Sequence, residues 1–528
     1  MYKKLDVHYK AAFLGALICG LCAHLYQFTN KIPNYDEYGQ TPGGIGATLG
    51  LGRWGLELSA RLYGFFFGWF SFPMVNGLFT LILIALSASI LVAIFGIKDR
   101  VICILTGGIC AVFPTVTSTY FFMFTAQYYG MALLCACLGA YVLVRSFSVT
   151  KYRIVYRLIS VVMMSLATGI YQAYAAVFVT ILLIDVIIRC YRDSDDAKKI
   201  AGRGVVYCLC ITAGFILYML ITIAVNRIYG IELSDYHGMG NMGSISPGKL
   251  IYSLIRCYSA YLSLPLGKDI LELNYSYSVK LIYGLAIFIT VFVPLINLTD
   301  RNKRLGSRLL FVLGTMLIPP AVFLIFILSA FGDGAVYTLM VYPAVFILIY
   351  PLLLCDGFTD IPLLSGGRIN AVISYISCIS VCVCIVIYFW FANANYQGLQ
   401  YTHYHDMAYF QTLMTQIKSL DGYNGDMPVA ILGEFEDSTN NAGSLMGYHF
   451  NIGGKWETNI NYKNRVMIWF CYLGFTPEVI EDRDRLQVIF DKPAVREMPL
   501  YPEAGSIAIV DDVVVIKAGD SIESDALY

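Results

Sequence analysis

Eleven apolar stretches, most of them about one bilayer long, decide what this chain of 528 residues can fold into. A membrane-spanning helix needs about 20 mostly apolar residues. Stretches near residues 11–29, 74–97, 101–119, 122–144, 205–229, 279–298, 309–330, 335–355 and 370–391 have that character. Between Arg157 and Arg189 the apolar run is too long for one crossing and too short for two full ones. It reads as two short helices meeting at Thr168-Gly169-Ile170-Tyr171-Gln172, a break tolerated where it faces protein or a water-filled cavity. The expectation is a polytopic α-helical membrane protein of eleven crossings, with its ends on opposite sides.

Charge supports this class. Only 14% of residues are charged and 58% are hydrophobic, against about 25% charged in an ordinary soluble domain. The 36 basic and 36 acidic residues cancel, and no basic domain stands out, which excludes a nucleic-acid partner. The charges are also unevenly placed. Residues 393–528 hold 19 acidic and 9 basic residues, whereas residues 1–392 hold 27 basic and 17 acidic ones. The chain therefore divides into a membrane body, 1–392, with a first outer loop at 30–72, and a small soluble α/β domain, 393–528.

Orientation follows from the positive-inside rule. One set of alternate connections carries 19 basic residues, among them Lys3, Lys98, Arg145, Arg189, Arg203, Arg301 and Arg368. The opposite set carries 8: Lys31, Arg53, Arg61, Arg227, Lys249, Arg256, Lys268 and Lys280. This places the amino terminus in the cytoplasm and the carboxy-terminal domain outside. The first apolar stretch lacks a small-residue cleavage site and reads as a retained span. Most of the fifteen cysteines lie in apolar spans and read as small packing residues, and Cys471 stands alone in the outer domain.

The first outer loop is the most unusual piece. It runs Asn34-Tyr35-Asp36-Glu37-Tyr38-Gly39, then Gly43-Gly44-Ile45-Gly46, then Gly52-Arg53-Trp54-Gly55. Leu56 to Phe70 follows, apolar and aromatic, with Glu57 and Arg61 four residues apart, the pattern of a helix lying along the membrane surface. On composition alone, Asp36 and Glu37 also suit a solvated turn, and Arg53 suits contact with lipid head groups.

These motifs carry a resemblance. A first span, an outer loop with Asn34-Tyr35-Asp36-Glu37 and then Gly52-Arg53-Trp54-Gly55, Tyr171-Gln172 on a short apolar hairpin, and a terminal outer domain are together similar to the bacterial Gtr-type glucosyltransferases. Those are polytopic enzymes that glucosylate O-antigen and are expected to share the GT-C architecture. The resemblance covers most of the membrane body and extends more weakly into the tail. It implies a bacterial plasma-membrane enzyme that moves a hexose from a polyprenyl-phosphate carrier to a cell-envelope glycan, with a flippase and a donor synthase as partners. It maps the acidic residue of the first outer loop onto Asp36, with Glu37 as neighbour.

The chemistry agrees with that implication. An acceptor hydroxyl is a poor nucleophile and gains from a carboxylate base, while a departing phosphate gains from a nearby cation. Arg53 suits the phosphate best because a guanidinium donates two hydrogen bonds; Arg61, Lys31 and Arg256 are further candidates. Neither a metal nor another cofactor is expected. Tyr35, Tyr171 and Gln172 are candidates for the sugar or acceptor, with interhelical hydrogen bonding as the plainer role of the last two. Asp333 in Phe331-Gly332-Asp333-Gly334 is a candidate for the same cavity, with a plain Gly-flanked turn as its other role, and Asp235 with His237 open a Gly/Ser-rich outer loop that reads as a lid over the acceptor or as a disordered loop. His403-x-His405 has a metal-like spacing without an evident third ligand.

In the outer domain, Met407 to Leu420 reads as a helix. Pro428 to Gly433, Gln487 to Phe490 and Ser506 to Lys517 read as strands, the last a hairpin around Asp511-Asp512, and Arg465 to Leu473 as a mixed segment. No nucleophile elbow or phosphate loop is present there, so acceptor docking or partner contact is expected of it. A transporter or flippase of a lipid-linked sugar is the alternative to the enzyme, and internal repeats with mid-membrane charges would mark it. A non-catalytic envelope scaffold explains the carboxylates of the first loop least well.

Overall fold

The structure, a computed structural model, describes residues 6–38, 45–46, 48–68, 70–192, 197–234, 246–266, 271, 276–299, 305–328, 336–356, 368–435 and 470–522. Its helices run in the order α1 Val7–Thr29, α2 Tyr35–Tyr38, α3 Trp54–Phe67, α4 Pro73–Phe95, α5 Arg100–Val112, α6 Pro114–Phe121, α7 Ala126–Arg145, α8 Arg153–Ile170 and α9 Ala175–Arg192. They continue with α10 Ala197–Tyr229, α11 Pro247–Ser263, α12 Tyr277–Thr299, α13 Leu305–Met316, α14 Ile318–Val322, α15 Ile325–Leu328, α16 Phe346–Cys355 and α17 Arg368–Lys418.

Among the described residues, nine helical stretches are apolar and long enough to cross a membrane, and two shorter apolar ones cover Leu305–Met316 and Tyr342–Cys355. The shorter ones have a visible cause. Pro319 and Pro320 bring no N–H to the carbonyls of Thr315 and Met316, so the apolar run at 309–330 breaks between α13 and α14; a further turn at Phe323 separates α14 from α15. The run between Arg157 and Arg189 splits as expected, α8 ending at Ile170 and α9 beginning at Ala175.

The chain forms two compact units, Met1–Lys31 with Pro42–Asn393, and Ile32–Thr41 with Ala394–Tyr528. The first outer loop is thus divided: the segment bearing Asp36 and Glu37 groups with the second unit, and the segment bearing Arg53 stays with the first.

In the first unit, α1 packs on α4 and α5, α4 on α7, α7 on α8, and α8 on α10. Small residues allow close approach. Gly15 of α1 meets the Ile104 backbone of α5, and Gly107 of α5 meets the Ala12 carbonyl of α1. In lipid this packing replaces the hydrophobic drive that joins helices in water. Leu14, Ile18, Leu158, Leu209 and Ile216 point outward from the bundle, as a lipid-facing surface requires. α3 shows the pattern expected of an interfacial helix: Leu58, Leu62, Phe65, Phe66 and Phe67 are exposed, while Leu56, Ala60 and Tyr63 are buried. One buried acid, Asp185 of α9, is paired within the bundle with Arg189 at 2.9 Å and accepts a hydrogen bond from the Tyr207 hydroxyl at 2.7 Å.

The second unit contains a three-stranded sheet in the order β1–β3–β2, with β1 Val429–Leu432, β2 Ile507–Val510 and β3 Val513–Lys517. β1 runs parallel to β3 and β2 antiparallel. Asp511 and Asp512 both take left-handed backbone angles, φ 49° and 57°, which a two-residue hairpin of the favoured twist demands. Phe410, Leu413 and Ile417 of α17 join Val429 and Ile431 in one cluster, and Leu486 and Ile489 join Ala430 and Leu432 in another. The expected strand Gln487–Phe490 is instead the end of a helix, Arg483–Phe490. A four-residue apolar run fits either period. Here the Asp482 carboxylate accepts from the Arg485 backbone N–H at 2.7 Å and starts a helix, burying Leu486 and Ile489 three residues apart and leaving Val488 outside. Residues 465–469 of the expected mixed segment lie outside the described residues.

Candidate active site

Two motifs distant in sequence interlock in the first unit. The Leu49–Leu51 turn closes with Gly52 N–H donating to the Leu49 carbonyl at 2.9 Å and Arg53 N–H to the Thr48 carbonyl at 2.9 Å. Gly52 has φ 66°, and a Cβ there would lie 2.8 Å from the Tyr218 hydroxyl, so both backbone angle and space select glycine. One turn further, a Cβ on Gly55 would lie 2.7 Å from the carbonyl carbon of Gly169, and one on Gly169 would lie 2.6 Å from Trp54 Cε2. Gly52-Arg53-Trp54-Gly55 is therefore pressed onto the broken end of α8.

That end presents Tyr171 and Gln172. Tyr171 leaves the helix in an extended conformation, and Gln172 begins a short turn of 3-10 helix leading to α9. The Gln172 amide donates to the Leu51 carbonyl at 2.7 Å and to the Tyr218 hydroxyl of α10 at 3.1 Å. The Arg53 guanidinium lies over the Tyr171 ring, 4.9 Å from its centroid. Tyr129 of α7 packs on the Tyr171 ring at 4.8 Å, and Tyr174 meets that same ring at 6.1 Å. The Ser234 N–H, just after α10, donates to the Gly50 carbonyl at 2.8 Å and braces the loop from the other side.

Among the described residues Arg53 Nε has no hydrogen-bond partner, and the residue is only partly buried. Cation–π contact of this kind is worth about 0.5–2 kcal/mol and engages the face of the guanidinium, whereas a phosphate is met by its edge. The arrangement can hold a phosphate.

The other cations stand differently. Arg61 Nε is committed to Glu57 at 2.7 Å, whose second oxygen accepts from the Thr48 hydroxyl at 2.9 Å. Lys31 Nζ reaches the Ser71 carbonyl at 3.5 Å. Arg256, on α11, lies over the Phe326 ring at 4.5 Å. Asp235, His237 and Asp333 lie outside the described residues, as does the side chain of Tyr35.

The carboxylates are set by Asn34 in the second unit. Its side-chain oxygen accepts from the N–H groups of Asp36 at 3.1 Å and Glu37 at 2.9 Å, capping the single turn α2. The two acids then differ: Glu37 is 1% exposed, while Asp36 is partly open. Burial, and next the Glu37 carboxylate, hold the Tyr472 phenol above its ordinary pKa. The Tyr472 ring meets His403 edge to face at 6.1 Å, and His405 Nδ1 lies 3.4 Å from Asp406. Among the described residues no three His, Cys, Asp or Glu side chains cluster closely enough to hold a metal ion.

The family model described as glucosyl transferase GtrII matches residues 25–348, more than half of the chain. The chain belongs to the GtrII glucosyl transferase family. A search of curated proteins found no match. For this GtrII family member, the matched region includes Asp36, Arg53, Tyr171 and Gln172, and it ends before α17 and the sheet. The membership supports glycosyl transfer by a chain whose long apolar helices suit a membrane. Tyr129 and Tyr218, which complete the GtrII chain's arginine platform, gave no sign in the sequence beyond being tyrosines in apolar spans.

Proposed function

We propose that this GtrII family member moves a hexose, glucose by the family's description, from a polyprenyl-phosphate carrier to a cell-envelope glycan on the outer face of the bacterial plasma membrane. The observation that carries this reading is Arg53, held on the Tyr171 ring by a turn that Gln172 and Tyr218 fasten. It is a fixed cation at the head of an interfacial helix, where a lipid phosphate would lie. The excess of basic residues in the alternate connections supports placing the opposite loops outside.

In the reaction the acceptor oxygen bonds to the anomeric carbon as the bond from that carbon to the phosphate oxygen breaks. The electron pair stays on the departing polyprenyl phosphate, where Arg53 stabilises it. The acceptor proton passes to Asp36, the more open carboxylate of the pair. Asp36 and Arg53 belong to different units, and each proposed role rests on that residue's own surroundings. Asp235, His237, Asp333 and Tyr35 remain proposed contacts to sugar or acceptor, and a flippase and a donor synthase remain proposed partners.

The test is incubation of the purified chain in nanodiscs with polyprenyl-phosphate-glucose and envelope glycans, following release of sugar-free lipid. Release that depends on the glycan supports the reading. Absence of release across glycans and lipid-linked hexoses overturns it.

A further inference from the structure

Three arginines and one acid meet around Phe147, just past the end of α7, where α8, α9 and α10 come together. Buried Asp185 of α9 accepts from Arg189 Nε with both oxygens, at 2.9 and 3.1 Å, and from the Tyr207 hydroxyl at 2.7 Å. Arg189 thus balances its charge. Arg203 of α10 brings Nη1 only to 3.7 Å from the same carboxylate, beyond hydrogen-bond range. Arg203 and Arg157 of α8 instead lie over the one Phe147 ring, 4.3 and 5.4 Å from its centroid. Among the described residues Arg203 Nη1 and Arg157 Nε have no hydrogen-bond partner.

Two guanidinium groups on one ring lie within about 10 Å of each other, no more than a Debye length at 0.1 M salt, and repel. The ring engages their faces. Their edges remain for an anion that accepts paired N–H donors, as phosphate does. Both side chains reach the surface: Arg203 keeps 19% of its area open, and Arg157 is partly exposed. The neighbours indicate which phosphate. Ile154 and Leu158 beside Arg157, and Val205 and Leu209 beyond Arg203, are exposed apolar side chains of the lipid-facing surface. An anion held by the two arginines would therefore sit at the margin of that surface, where a lipid head group lies and its acyl chains can follow.

We infer that Arg157, Phe147 and Arg203 form a site for the phosphate head group of an anionic phospholipid. Basic pockets between membrane helices take such head groups. The site is separate from the Arg53 platform. Arg157 lies in the second turn of α8 and Tyr171 just past its end, about 20 Å apart along the axis at 1.5 Å per residue. The head group therefore comes from the leaflet on the basic-rich side of the bundle, not from the side proposed for the donor. The inference does not depend on the proposed transfer reaction.

The test uses the full chain in mild detergent with three probes: short-chain phosphatidylglycerol, short-chain phosphatidylcholine and inorganic phosphate. Binding is read by native mass spectrometry and by the rise in unfolding temperature. The wild-type chain is expected to bind the anionic lipid about tenfold more tightly than the zwitterionic one. Arg157→Gln with Arg203→Gln should reduce that preference to about twofold or less, whereas Lys98→Gln, which removes an exposed cation from the loop before α5, should keep it. Arg157→Lys keeps the charge but not the planar edge, so it should retain only part of the preference; it carries the test if the glutamine variants do not fold. Inorganic phosphate binding as tightly as the anionic lipid would make this a soluble-anion site and overturn the lipid assignment. A wild-type chain indifferent to lipid charge, as it would be if Asp193, Asp195 and Asp196 neutralised the arginines, or arginine variants that keep the full preference, overturns the site.

Discussion

The Arg53 guanidinium and the Tyr171 ring lie 4.9 Å apart, guanidinium carbon to ring centroid, and this contact joins the first outer loop to the break between α8 and α9. It turns a flexible cation into a positioned one. Arg53→Ala should lower kcat/KM for the lipid donor by at least about tenfold, or 1.4 kcal/mol, while acceptor KM changes little. Arg53→Lys should recover only part of the loss, since an ammonium lacks the planar pair of donors. Steady-state kinetics with each substrate varied in turn would check both, and an unchanged donor kcat/KM in Arg53→Ala would leave the residue as a loop anchor.

Gln172 fastens the same loop through two hydrogen bonds. Gln172→Leu leaves the Leu51 carbonyl and the Tyr218 hydroxyl without that donor, at a cost of about 1–3 kcal/mol. Amide hydrogen exchange in residues 48–53 should then quicken by roughly one to two orders of magnitude, with α4 and α7 unaffected. Equal exchange in both chains would mean that the Gly55–Gly169 contact and the Ser234–Gly50 hydrogen bond hold the turn without Gln172.

Asp36 and Glu37 should separate by readout. Asp36→Asn is expected to reduce kcat by about a hundredfold or more, the usual scale for a lost general base, without moving the unfolding temperature. Glu37→Gln, at a buried position beside Tyr472, should lower the melting temperature of the second unit by several degrees. Paired activity and calorimetry decide it, and full transfer by Asp36→Asn would remove that residue from the mechanism.

Glycine contacts give a matched pair. Gly169→Ala forces a Cβ to 2.6 Å from the Trp54 ring and should cost about 1–3 kcal/mol by overpacking. Gly202→Ala, in α10 with nothing within 4 Å of its added Cβ, should be neutral or stabilising by about 0.5–1 kcal/mol, as expected for alanine in a helix. Thermal unfolding in detergent compares the two directly.

The apolar helices were legible because their signal is local: length and composition suffice, and even the break at Thr168–Gln172 shows as a run of the wrong length. Gln487–Phe490 was misread because four apolar residues fit a strand as well as a helix, and the deciding Asp482 cap lies outside that window. The arginine platform was half legible. Its two motifs stood out, yet nothing local says that Gln172 reaches Leu51 across 121 positions, or that Tyr218 joins them. The division of the first loop was also hidden, because the grouping of Ile32–Thr41 with the second unit depends on contacts far along the chain.

The Gly169 backbone occupies the space that a side chain at Gly55 would need, and the Trp54 ring the space that one at Gly169 would need. Neither position can drift alone: a methyl at one must be met by a shift of backbone or of Trp54 at the other. Across descendants of this gene the two glycines should be inherited as a single character, retained together or lost together with the tryptophan between them.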